Sequence, residues 1–114
     1  MKLLTEKISR SELDVMAKLR FGNLVKAVVD VDRNLMVLDA ELHADEESLL
    51  LEGGSRQRDL WGINLYPEFP PEDENFVEFD SMINLRPLEN NRSRSVEDPE
   101  IRSRILGLVR QWVQ

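Results

Sequence analysis

The chain has no cysteine and a single histidine, which removes disulfides, thiol chemistry and any zinc site built from Cys and His within one chain. Its five glycines form no Gly-x-Ser-x-Gly elbow, phosphate-cradling loop or dinucleotide fingerprint, so nothing here implies a cofactor. Gly53-Gly54-Ser55 is too short for such a loop and reads as a helix stop. No hydrophobic run reaches the length that spans a bilayer, and the N-terminus breaks into charge too early for a signal peptide, so a cytoplasmic location without a membrane partner is expected. Positive charge is also scarce. A net charge of -7 repels a phosphate backbone, and no aromatics interleave with the arginines, which argues against nucleic acid as the main partner.

What remains is ordinary for a folded domain. At 114 residues, 41% hydrophobic and 32% charged, residues 1–114 have the size and composition of one domain with one core. Ser9-Arg10-Ser11-Glu12 fits a capping box, predicting a helix over residues 10–20 with Leu13, Met16 and Ala17 buried. Residues 24–31 are valine-rich and precede a turn-like Asp32-Arg33-Asn34, predicting a hairpin with Val31 opposite Met36 and Val29 opposite Leu38. A second amphipathic stretch covers residues 44–52. A second hairpin joins residues 60–66 to residues 76–86, with Leu65 opposite Val77, Ile63 opposite Phe79 and Asn64 facing Glu78. After a polar loop over residues 88–97, Asp98-Pro99 caps a last helix, with Ile101, Ile105, Leu108, Val109 and Trp112 at helical spacing.

With a short strand at residues 2–7, the order is βαββαββα. The expected class is α+β: a largely antiparallel sheet of four to five strands from two hairpins, three helices packed on one face, and a possible ferredoxin-like core.

Within this frame one phrase occurs twice: Ile63-Asn64-Leu65-Tyr66-Pro67 returns as Ile83-Asn84-Leu85-Arg86-Pro87. Strand alternation sends each Ile and Leu into a core and each Asn the other way, so Asn64, Asn84, Glu78, Asp80 and Arg86 are expected to share one polar face. Asn91, Arg92 and Arg94 of the following loop add donors and positive charge beside it. An anion site there competes with a structural role, in which the arginines and asparagines tie the loop to Glu78, Asp80 or the acidic start of the last helix. Asp30, Asp32 and Asn34, followed by Glu41, partly copy a calcium loop, but Leu35 stands where a glycine is needed, and turn chemistry accounts for the same residues.

The residue blocks carry a resemblance. Residues 22–30 and 41–47, Leu60-Trp61-Gly62-Ile63-Asn64-Leu65-Tyr66-Pro67, Phe79-Asp80-Ser81-Met82-Ile83-Asn84-Leu85-Arg86-Pro87, Asn91-Arg92-Ser93 and Glu97-Asp98-Pro99-Glu100-Ile101-Arg102 resemble a family of small bacterial and archaeal proteins of unknown function. The resemblance spans nearly the whole chain. It implies one intact domain and assigns no catalytic residues.

Two function classes follow. The first is a binding or regulatory module for an unknown protein or small-molecule ligand, using the polar sheet face and residues 88–97. Asn64, Tyr66, Asp80, Asn84, Arg86, Asn91, Arg92 and Arg94 would make its contacts. The second is a small hydrolase-type enzyme in which His43, with Asp45 and Glu46, does acid–base or magnesium-assisted chemistry. His43 equally suits a strand-to-helix junction, hydrogen-bonding the backbone there. The Trp112 end of the last helix offers a surface for a homodimer.

Overall fold

The computed structural model describes all residues, 1–114. The elements run β1 (Lys2–Leu3), α1 (Arg10–Leu19), β2 (Val25–Asp30), β3 (Leu35–Leu38), α2 (His43–Glu52), β4 (Leu60–Leu65), β5 (Val77–Glu78) and α3 (Pro99–Trp112). The class is α+β. The five strands form one sheet in the order β1-β3-β2-β4-β5, and every neighbouring pair is antiparallel. The sheet therefore contains none of the parallel pairing that a ferredoxin-like βαβ unit brings.

Local chemistry sets the helix boundaries. The Ser9 hydroxyl accepts from the Glu12 amide at 3.1 Å while the Glu12 carboxylate accepts from the Ser9 amide at 3.1 Å, satisfying two donors at the start of α1. The Asp98 carboxylate accepts from the Glu100 amide at 2.8 Å, and Pro99 takes the first position of α3, where its missing N–H costs nothing. The apolar stripes then bury Leu13 and Ala17 of α1 and Ile105, Leu108 and Val109 of α3. Met16, Ile101 and Trp112 are partly buried against the same core.

α1 and α3 lie against one face of the sheet, where Val25, Ala27 and Val29 of β2 meet Met36, Leu38, Trp61, Ile63 and Leu65. α2, expected beside them, lies on the opposite face: Leu50, flanked by Leu49, packs on Val28, Val37 and Leu60. The physical reason sits in β2. Its apolar residues run almost without alternation, so both faces require cover, the pattern of a strand buried on two sides. Trp112 is likewise engaged within the chain, its indole N–H donating to the Asn34 carbonyl at 2.9 Å.

The first hairpin keeps the expected face but slides its register, pairing Val29 with Met36 and Ala27 with Leu38. Asp30 decides this. Its fully buried carboxylate accepts from the Asp32 and Arg33 amides at 2.9 Å each and from the Ser55 hydroxyl at 2.6 Å. The turn therefore begins at Val31 and closes through Asn34 at φ 57. The first carboxylate of the calcium-like pattern is thus consumed by turn and loop donors.

The second hairpin has the expected register, Leu65 with Val77 and Asn64 with Glu78. Its second strand, however, is only Val77–Glu78. Of the residues expected to continue it, Met82–Asn84 instead form a 3-10 turn, and a second 3-10 turn follows at Pro87–Glu89. Ser81 starts the departure, accepting from the Ile83 amide at 3.3 Å while its own amide donates to the Arg94 carbonyl at 3.0 Å. From there to Asp98 the chain lies over β4 and the core without regular strand or α-helix.

Candidate functional site

Where a continued β5 would have paired with β4, a side chain takes the place of a backbone. The Asn84 amide accepts from the Gly62 N–H at 2.8 Å and donates to the Gly62 carbonyl at 2.9 Å and the Arg94 carbonyl at 3.0 Å. Gly62 permits this closeness, because a Cβ there would lie 2.5 Å from Ser81 Cβ and Oγ. Asn84 is fully buried. The expectation that Asn84 and Asn64 look out from one polar face is corrected on this point: both are buried, and Asn84 lies in a 3-10 turn rather than a strand.

Asn91 does the same work one turn later. Its Nδ2 donates to the carbonyls of Asn84 at 2.7 Å, Ser93 at 3.2 Å and Ser95 at 2.7 Å, and its Oδ1 accepts from the Glu97 amide at 2.9 Å. Arg86 is buried with them. Its guanidinium stands 4.2 Å over the Trp61 ring, Nε donates to the Ile83 carbonyl at 3.2 Å, and Nη2 donates to the Leu60 carbonyl. Burial lowers its pKa from the ordinary arginine value, against the opposing charges of Glu89, Glu47 and Asp59.

Asn64, Tyr66 and Glu78 meet at the β4–β5 pair. Asn64 Nδ2 donates to Glu78 at 2.9 Å and to the Asp80 carbonyl at 3.2 Å, and the Tyr66 hydroxyl donates to the same Glu78 oxygen at 2.9 Å. Burial, then the hydrogen bond to Glu78, pushes the Tyr66 phenol up to about 12. Asp80 pairs with Arg94 at 2.8 Å, the loop-to-acid tie expected of that arginine. Arg92 points its charge to solvent, and its amide donates to Glu97 at 3.1 Å.

The acid–base candidates do not converge. His43 Nε2–H donates to the Ile63 carbonyl at 2.8 Å, joining α2 to β4. Glu46 is fully buried and accepts from the Ala40 amide at 3.0 Å, which ties α2 to the end of the first hairpin. Asp45 is exposed and lines a separate groove with Arg20, Asp39 and Glu41. Thus no carboxylate hydrogen-bonds His43, and no group of three or more His, Asp or Glu side chains gathers where one metal ion could sit.

His43 is also held below its ordinary pKa, first by burial and then by Lys26 and Arg94, with Ile63 and Asp80 opposing. A depressed histidine stabilises the fold above the unfolded value, and that stability is lost as pH falls through the range beneath it. An NMR pH titration is expected to put the His43 midpoint below 6.5, with the Nε2 proton retained at neutral pH. A midpoint above 6.5 would contradict the burial argument.

One cavity adjoins this network. Arg58, Trp61, Arg86, Glu89, Asn90, Asn91, Asp98 and Ile101 line about 290 Å³ between β4, the turn at Pro87–Glu89 and the start of α3. Sequence reading missed Arg58 and Trp61 as site residues. Nothing local marks Arg58, and the apolar spacing of Trp61 points only to the core. Gly62 did carry a signal, because a glycine inside a strand marks close approach by another segment.

A family model described as "Protein of unknown function (DUF5674)" matches residues 2–112. The chain belongs to that family. No curated protein and no solved structure matches it. The family match spans all eight regular elements from β1 to α3. No helix is long and apolar enough to cross a membrane.

Proposed function

We propose that this protein is a small-ligand binding module whose site is the cavity beneath residues 79–98. The observation that carries the reading is how that segment is held. A long stretch without strand or α-helix is uncommon inside a compact domain and is usually functional or disordered. Here it is tied down by buried side chains, Asn84, Arg86 and Asn91, rather than by a strand ladder. A rigid segment that frames a concave, partly polar space suits recognition.

Of the residues expected to bind, Asn84 and Asn91 build the site and Arg86 faces it. Asn64, Tyr66, Asp80 and Arg94 form a neighbouring polar corner, and Arg92 stands on the outer surface. The hydrolytic reading has less support, because His43 spends its Nε2 proton on a backbone carbonyl and is hydrogen-bonded to no carboxylate.

Amide NMR spectra recorded with a set of small polar fragments test the proposal. Shift changes are expected to gather at the Trp61 indole and at residues 86–91. Changes centred on His43 and Asp45, or none at this cavity, would overturn it.

A further inference from the structure

Two of the residues that line the cavity, Arg86 and Trp61, carry donors with no acceptor in the chain. Arg86 is 8% exposed and Trp61 5% exposed, so both walls are removed from bulk water. Arg86 places Nε and Nη2 on the Ile83 and Leu60 carbonyls, while Nη1 makes no hydrogen bond within the chain. None of the ion pairs involves Arg86. The Trp61 Nε1–H is buried without a partner as well. No carboxylate lies within ion-pair distance of the guanidinium, and Glu89, Glu47 and Asp59 oppose its charge from farther off, so Nη1 keeps a hydrogen-bonding deficit.

Asn91 cannot fill it, since its amide oxygen already accepts from Glu97. The acids on the wall do not fill it either. Asp98 caps α3 through the Glu100 amide, and Glu89 is exposed on the turn at Pro87–Glu89. These two negative charges do limit what enters: a dianion meets both, whereas a monoanion offers two acceptor oxygens at half the repulsion.

Resting on the binding-module reading, we infer that the cavity takes a singly charged carboxylate, held by Arg86 Nη1 with Arg58 at the mouth. A planar carboxylate matches a guanidinium edge. The size of the cavity, about 290 Å³, restricts the ligand to a small acid or to the acid end of a larger molecule.

Trp61 supplies the readout. In a Trp112→Phe background it is the only tryptophan, and its fluorescence is followed while propionate, propionamide or inorganic phosphate is added. Propionate is expected to give a saturable change, with propionamide and phosphate at least about tenfold weaker. Arg58→Ala is expected to weaken propionate about threefold to tenfold. Glu89→Gln is expected to tighten it about threefold, a gain that misfolding cannot imitate. An equal or stronger response to propionamide or phosphate overturns the carboxylate assignment and leaves the binding-module reading in place. Silence toward all three probes, while fragments shift the amides at residues 86–91, does the same. Silence in both experiments overturns both.

Discussion

Glu46→Gln is expected to make the protein progressively more stable than the wild type as pH rises. The Glu46 carboxyl is fully buried against Ala40, and burial pushes it up to about 9 from 4.5, with the Ala40 amide and Lys26 opposing. Its Oε1 has no partner, so ionisation would leave a charge in a dry site. In this window the folded chain keeps a proton that the unfolded chain has released. The stability Glu46 contributes is therefore complete below about 4.5 and lost as pH climbs toward about 9.

Glutamine keeps the size and the acceptor for Ala40 but cannot ionise. The stability difference between variant and wild type is expected to widen by up to about 1.4 kcal/mol per pH unit between pH 5 and 8. Urea unfolding at several pH values measures it. A constant difference across that range would show that Glu46 ionises freely in the folded protein.

The second large effect is expected at the seam between Asn84 and Gly62. Asn84→Ala removes three hydrogen bonds and strands both polar groups of a buried glycine. Each buried group left unsatisfied costs about 1–3 kcal/mol, so a total loss of about 3–5 kcal/mol is expected. Gly62→Ala attacks the same seam from the other side, driving a methyl into Ser81. Because both changes break one contact, the double variant should lose less than the two single losses combined. Hydrogen exchange should show residues 79–98 unprotected in either variant while β2 and β3 stay protected. A loss below about 1 kcal/mol for Asn84→Ala would mean that water replaces the amide without penalty.

The two asparagines of the repeated phrase show where the sequence was legible. Asn64 follows strand parity and faces Glu78 as its spacing predicts. Asn84 stands in an identical Ile-Asn-Leu context and behaves differently. The first copy lies in β4, paired on both sides, so a ladder enforces its alternation. The second lies beyond a two-residue strand, where no ladder remains to impose parity. Local sequence is the same in both; what the backbone pairs with is not.

α2 makes a similar point. Its bounds differ from the expected ones only by the addition of His43, and its acidic first turn and terminal glycines were readable. The face it covers was not, because that follows from Val28, Val37 and Leu60 meeting across three strands. His43 and Glu46 look alike as members of an acid-rich junction. Both are buried, and their partners separate them, one donating to β4 and one accepting from Ala40.

Residues close together in the chain determined much by themselves: the element order, the caps of α1 and α3, the buried helix stripes and the register of Leu65 with Val77. These depend on hydrogen bonds and periodicities spanning a few residues or one hairpin, so the chain states them directly. Only the tertiary structure decided which polar groups are sealed in and which face a cavity. Asn84, Arg86, Asn91 and Glu46 owe their environment to segments far away in sequence that cover them, and desolvation depends on that cover rather than on the residue or its neighbours.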